Sequence, residues 1–264
     1  MVRPLLLVAA LLAAPALAQT QEDVLGATLL PGWRMEGGNR MAALHLTLAP
    51  HWKTYWRAPG EAGIPPSFDW SGSRNLRDVK LHWPSPEVIT LNGLQSIGYL
   101  DDLVLPLEIT PIDPAQPVDL RLKMSLGVCK DICMPAALTL SASLTGAGSA
   151  DPVIDQALTR QPHSAASAGV GKVSCTVAPI EDGLRLQAHL VIPRQGSPET
   201  VVFEVADPSV WVASADTSRA GSVLTAAADV VPDTTAPFVL NRSSITITVI
   251  GQGHAVEIKG CPAP

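Results

Sequence analysis

Cys129 and Cys133, in the stretch GVCKDICMPA, are the residues of this 264-residue sequence whose type and spacing most directly offer chemistry. Three residues separate them, one more than in a C-x-x-C redox motif. Cys175 and Cys261 complete an even set of four. A close pair of this kind can be a staple, part of a metal clip or a working redox couple.

Loop-closure entropy separates the two pairs. Joining Cys175 to Cys261 would constrain a long stretch of unfolded chain and stabilise by about 4–5 kcal/mol, whereas about 2 kcal/mol is generous for Cys129 and Cys133. The distal pair therefore reads as a structural disulfide. The near pair makes little sense as one. Two thiolates alone do not complete a zinc sphere. Met124 and Met134 are soft sulfur donors close in sequence, so a Cu(I) site is the alternative reading, a copper-binding or copper-tolerance module. Against it, strand alternation assigns Met124 to the face opposite Cys129. In the redox reading a bridge at an accessible hairpin tip exchanges readily, with Lys130 lowering a thiol pKa and Asp131 opposing it.

The other residue types associated with catalysis form no motif. His45, His51, His82, His163, His189 and His254 show no metalloprotease spacing, and no G-x-S-x-G or Gly-rich phosphate loop occurs. Nothing argues for a hydrolase or for a prosthetic group, and apart from the copper alternative no metal site is expected.

Redox chemistry depends on compartment. Residues 1–18, MVRPLLLVAALLAAPALA, place Arg3 before an apolar run and end in a small-x-small pattern, which predicts a cleaved signal peptide and an exported, periplasmic chain. Disulfides persist in that setting. Without those residues the balance is 17 basic against 24 acidic residues, a net charge of −7. Such a surface has no electrostatic footprint for nucleic acid.

The elements that must position the cysteines are strands. From Met41 to Leu48, from Leu120 to Val128 and from Leu138 to Leu144 apolar residues alternate with other types, the period of half-buried strands. Cys129 follows Arg121, Lys123, Ser125 and Gly127 on the non-core face, and CKDIC falls at a hairpin tip. With 24 prolines and 20 glycines the chain has no room for long helices. APGEAGIPPSFDWSGSRN, WPSPEV and LNGLQSIGYLDD read as turn-rich. Within 145–171 one short helix is expected, with Asp151 as N-cap, Pro152 first and Pro162 as the stop, so that segment reads as a linker. Beyond it, hairpins around Asp182-Gly183 and Gly251-Gln252-Gly253 predict a second, smaller all-β domain at 172–264. Five of the six Trp fall between 33 and 83, so the halves differ in construction. The expectation is an all-β chain: a β-sandwich at 19–144, the linker, and a second β-sandwich.

HWKTYWRAPGEAGIPPSFDW, WPSP, IGYLDDLVLPLEI and above all GVCKDICMPAALTL together resemble the periplasmic N-terminal domain of the DsbD/ScsB thiol:disulfide interchange proteins, on the ScsB-like side. The resemblance runs from about residue 28 to 145, and more weakly beyond. It implies an immunoglobulin-like sandwich that relays electrons from a membrane donor of DsbD, ScsB or CcdA type to periplasmic thioredoxin-fold clients, as a component of a protein-disulfide reductase without a cofactor. Cys129 and Cys133 match the active pair. Order along the motif assigns the mixed disulfide to Cys133 and its resolution to Cys129. Trp52 and Tyr55 match aromatics flanking that site, and Asn92 to Ile97 stands in place of a cap loop, without its acidic-aromatic cluster. Complete proteins of this type continue into a membrane domain and a thioredoxin-like domain. Since this sequence ends at Pro264, the expectation is separately encoded membrane partners or a stand-alone relay.

Overall fold

The structure is a computed structural model that describes residues 20–61, 63–91, 94–233 and 239–264. The signal peptide expected at 1–18 lies outside them. After the one-turn helix α1 (Gln21–Val24) come β1 (Leu25–Arg34), β2 (Arg40–Leu48), β3 (Lys53–Tyr55), β4 (Ser67–Asp69), β5 (Leu76–Leu81), β6 (Glu87–Leu91), β7 (Leu94–Leu100), β8 (Asp102–Pro111), β9 (Val118–Cys129) and β10 (Cys133–Leu144). They form two sheets, ordered β1-β2-β8-β5 and β10-β9-β3-β7-β6, with β4 also paired to β9.

The alternation seen in the sequence becomes the sandwich core. Leu44, Leu46, Leu105 and Leu107 from one sheet meet Leu120, Leu122, Met124 and Val128 from the other. Trp52, Trp56 and Trp83 are buried in the same cluster, which accounts for the tryptophan-rich first half. Pro135 has no N–H to give a ladder, and it sits in β10, an edge strand.

The helix α2 (Pro152–Thr159) starts at Asp151, whose carboxylate accepts the Val153 N–H at 2.9 Å. It does not hang free as a linker would. Ile154 is fully buried against Met41 and Ala43 on the outer face of β2.

The second domain contains β11 (His163–Ser164), β12 (Val173–Pro179), β13 (Leu184–Val191), β14 (Thr200–Glu204), β15 (Val210–Val212), β16 (Asp216–Ala220), β17 (Val223–Pro232), β18 (Thr246–Ile250) and β19 (Ala255–Lys259). Its sheets run β11-β19-β18-β14 and β12-β13-β17-β15, with β16 beside β17. Cys175 in β12 is bridged to Cys261, just past β19, so this disulfide joins one sheet to the chain leaving the other, inside the core.

The two domains are in contact. Arg57 donates to both Glu204 carboxylate oxygens, at 2.7 and 2.9 Å, and to Glu257 at 2.7 Å. Ile250 and Ala255 join the core of the first sandwich.

One segment departs from the sequence expectation. LNGLQSIGYLDD reads as turn-rich, yet Leu94–Leu100 is an inner strand, paired with β3 and β6. The reason is tertiary: Gly98 lets the backbone of Thr54 pass where any Cβ would stand 2.0 Å from its carbonyl oxygen. The proposed cap, Asn92 to Ile97, is thus largely strand, and Asn92 and Gly93 lie outside the described residues.

Candidate functional site

Cys129 closes β9 and Cys133 opens β10; the two are directly paired across the hairpin, with Cα atoms 4.1 Å apart, and are bridged. Lys130 and Asp131 are exposed on the three-residue loop between them. The two sulfurs have unequal surroundings. Cys133 is exposed, whereas Cys129 is 0% exposed. That corrects the expectation of an accessible pair: only one cysteine is presented to solvent.

The cover over Cys129 comes from β3 and the segment after it. Along β9 the outward residues Arg121, Lys123 and Ser125 are exposed, but Gly127 and Cys129 are buried. Lys53 lies directly opposite Cys129, and the Thr54 hydroxyl donates to the Gly127 carbonyl at 3.1 Å, locking β3 onto β9. The next residue, Tyr55, is thereby set above Gly127. Its hydroxyl lies 2.9 Å from Cys129 Sγ and 3.4 Å from Cys133 Sγ. Bridged sulfurs carry no proton, so the hydroxyl donates. Burial pushes the Tyr55 phenol pKa up, which keeps that donor protonated at neutral pH.

Lys53 is a member of this site that sequence reasoning passed over. It is 7% exposed, its Nζ donates to Ser96 Oγ at 2.8 Å, and it stands 5.7 Å from the centre of the Tyr55 ring. Burial pushes its ammonium pKa down. Its signal in the sequence was its place two residues before Tyr55 in a strand, which puts both side chains on one face.

The remaining expected residues scatter. Trp52 is a core residue. Met124 and Met134 pack in or against the core, on the sheet face away from the cysteines, so the structure does not bring them to the pair. Among the described residues no three His, Cys, Asp or Glu side chains are grouped to hold a metal. His45 contacts Asp102, and His82 contacts Gln161 and Glu108, as structural histidines do. A cleft of about 600 Å3 lies between the 57–65 segment and the β14 to β15 region, and neither sulfur lines it.

A family model for the N-terminal domain of the thiol:disulfide interchange protein DsbD matches residues 26–144. Residues 26–144 are thus similar to the DsbD N-terminal family. Both cysteines of that segment are the bridged pair at the hairpin tip. The crystal structure of the N-terminal periplasmic domain of ScsB from Proteus mirabilis superposes with a TM-score of 0.68, at 22% identity, covering 94% of this chain and 96% of that one. At that identity the likeness is one of fold, and it extends beyond the DsbD N-terminal segment into the second domain. No curated protein sequence matches the chain. Among the described residues no helix is long and apolar enough to cross a membrane.

Proposed function

We propose that this chain is a periplasmic thiol:disulfide interchange module, exported by residues 1–18, in which the sandwich at 19–144 works through Cys129 and Cys133. The observation that carries the reading is the unequal exposure of the pair: an incoming thiolate reaches Cys133 Sγ, while Cys129 is covered by Tyr55. The DsbD N-terminal family supports the same chemistry.

The exchange balances as follows. A donor thiolate attacks Cys133 Sγ, the Cys129–Cys133 bond breaks, and its electron pair leaves on Cys129 as a thiolate. The donor's second thiol then attacks the mixed disulfide, leaving the donor oxidised and both cysteines reduced. In the outward step the Cys133 thiolate attacks a client disulfide, and Cys129 displaces the client by re-forming the bridge.

The donor in this reading is a membrane protein of DsbD, ScsB or CcdA type, and the clients are periplasmic thioredoxin-fold proteins. Protein partners suit the surface. Ile132 beside Cys133 is 62% exposed and Ile64, against Gly127, is 44% exposed, leaving apolar contacts next to the accessible sulfur.

The test is direct. The purified chain is equilibrated in glutathione buffers and its free thiols counted. Cys129→Ala and Cys133→Ala variants are then used to trap partners. The expected result is a reversible two-thiol transition with mixed disulfides retained by Cys133 in the Cys129→Ala variant. A bridge inert to glutathione and to protein dithiols overturns the proposal.

A further inference from the structure

Resting on that reading, we propose that Lys53 is a positioning residue of the exchange: with Tyr55 it seats the negative charge that appears on Cys129, making Cys129 the departing sulfur and leaving Cys133 to change partners.

The placement is set by strand pairing. Lys53 and Cys129 are directly opposed in the antiparallel β3–β9 ladder, so their side chains share the outer face of the sheet. Tyr55 and Gly127 follow in the same register on that face, and the Tyr55 ring stands between the lysine and the sulfurs. Ser96, which accepts from the ammonium, is itself buried, and its hydroxyl donates to the Ile89 carbonyl at 3.3 Å. The ammonium is thereby held on the β7 side of β3, and it reaches the sulfurs through the Tyr55 ring that stands between.

What singles this lysine out is a missing counter-charge. Lysines are almost never buried unless paired, because removing an ammonium from water is costly. Among the described residues no carboxylate lies within ion-pair distance of Lys53; its hydrogen-bond partner is a neutral hydroxyl. The charged groups of the surrounding elements have other settings. Lys130 and Asp131 are in solvent on the loop, and Arg57 is held by Glu204 and Glu257. In the oxidised protein the buried cation therefore has a hydroxyl and the Tyr55 ring beside it but no counter-charge.

Opening the bridge changes that balance. When a dithiol donor attacks Cys133, the electron pair of the broken bond settles on a buried Cys129 sulfur, an anion with no access to water. The phenol at 2.9 Å is placed to stabilise it directly, and the Lys53 ammonium, 5.7 Å from the centre of that phenol's ring, acts from behind it. A more stable leaving thiolate departs faster, so the pair directs which bond breaks as well as how fast. Two unfavourable burials, one of each sign, offset one another only in the mixed-disulfide and reduced states.

The experiment uses the full chain. Reduction by dithiothreitol at pH 7 is followed by stopped flow for the wild type, Lys53→Met and Lys53→Arg. Lys53→Met is expected to react about tenfold more slowly, with Lys53→Arg restored to within about threefold of wild type. An independent measurement needs no variant. With lysines carrying 13C at Cε, Lys53 in the wild type is expected to titrate at higher pH in the reduced protein than in the oxidised one, because coupling between two sites is reciprocal. A wild-type rate for Lys53→Met, or a Lys53 titration indifferent to redox state, overturns the inference while leaving the interchange reading intact. A wild-type bridge that dithiols do not open overturns both.

Discussion

Gly127 lies beneath the ring of Tyr55: a Cβ on it would stand 2.9 Å from Tyr55 Cε2 and 3.1 Å from Ile64 Cβ. The absence of a side chain in the middle of a strand, ordinarily a weakness, is what lets the ring come down onto the sheet and its hydroxyl reach the sulfurs.

Gly127→Ala is therefore expected to lift the ring, at a cost of about 1–3 kcal/mol from overpacking. In the reduced protein Cys129 should also react faster with a maleimide. Urea denaturation and timed labelling check the two effects. Unchanged labelling would show that Tyr55 is not the cover.

Tyr55→Phe keeps the ring and removes the donor. A hydrogen bond worth about 1 kcal/mol corresponds to about fivefold in rate, so dithiol reduction should slow by about that factor. Stopped-flow kinetics measure this directly, and a rate equal to wild type would remove the hydroxyl from the account.

Single-cysteine variants report the unequal exposure. Cys129→Ala leaves Cys133 in solvent, and Cys133→Ala leaves a thiol that is 0% exposed in the bridged state. Alkylation of the first should exceed that of the second by roughly tenfold or more. Equal rates would contradict the assignment of roles.

The Cys175–Cys261 bridge spans most of the second domain. Its removal by double alanine substitution is expected to cost about 4–5 kcal/mol, less any structure the unfolded chain retains. Denaturation of the variant, followed through its core, should move while exchange at Cys129 and Cys133 persists. Loss of exchange as well would tie the two domains together functionally.

The second domain should also be sensitive to acid. Glu199 and Arg219 form an ion pair with side chains 4% and 7% exposed. Burial acts to raise the Glu199 carboxyl pKa, but the hydrogen bonds from Arg219 and the Gln195 N–H outweigh it and hold the carboxyl below its usual range. A depressed folded pKa contributes stability that is complete above the unfolded value, about 4.3, and is lost as pH falls through the folded value. Urea midpoints should fall as pH drops below about 4.3, and Glu199→Gln should flatten that dependence. An unchanged slope in the variant would place the titration elsewhere.

The strands that carry the cysteines were legible because their burial is local: alternation from Leu120 to Val128 reports a sheet with one face in a core, whatever packs there. So were the hairpin tip, the cap at Asp151 and the second all-β domain. LNGLQSIGYLDD was not, because its strand character arises from pairing with β3 and β6 rather than from its own composition.

Amino-acid order by itself determined that Cys129 and Cys133 lie on one face at the end of a hairpin, since strand period and turn length are short-range properties. It told the two sulfurs apart only by their order along the resembling motif, with no physical difference between them. Only the tertiary structure made them physically different, by laying β3 against β9 so that Lys53 pairs opposite Cys129 in the ladder and Tyr55 covers its sulfur. Those contacts join residues more than seventy positions apart, and the unequal burial they produce depends on which strands pair, a choice made by the packing of the whole sandwich.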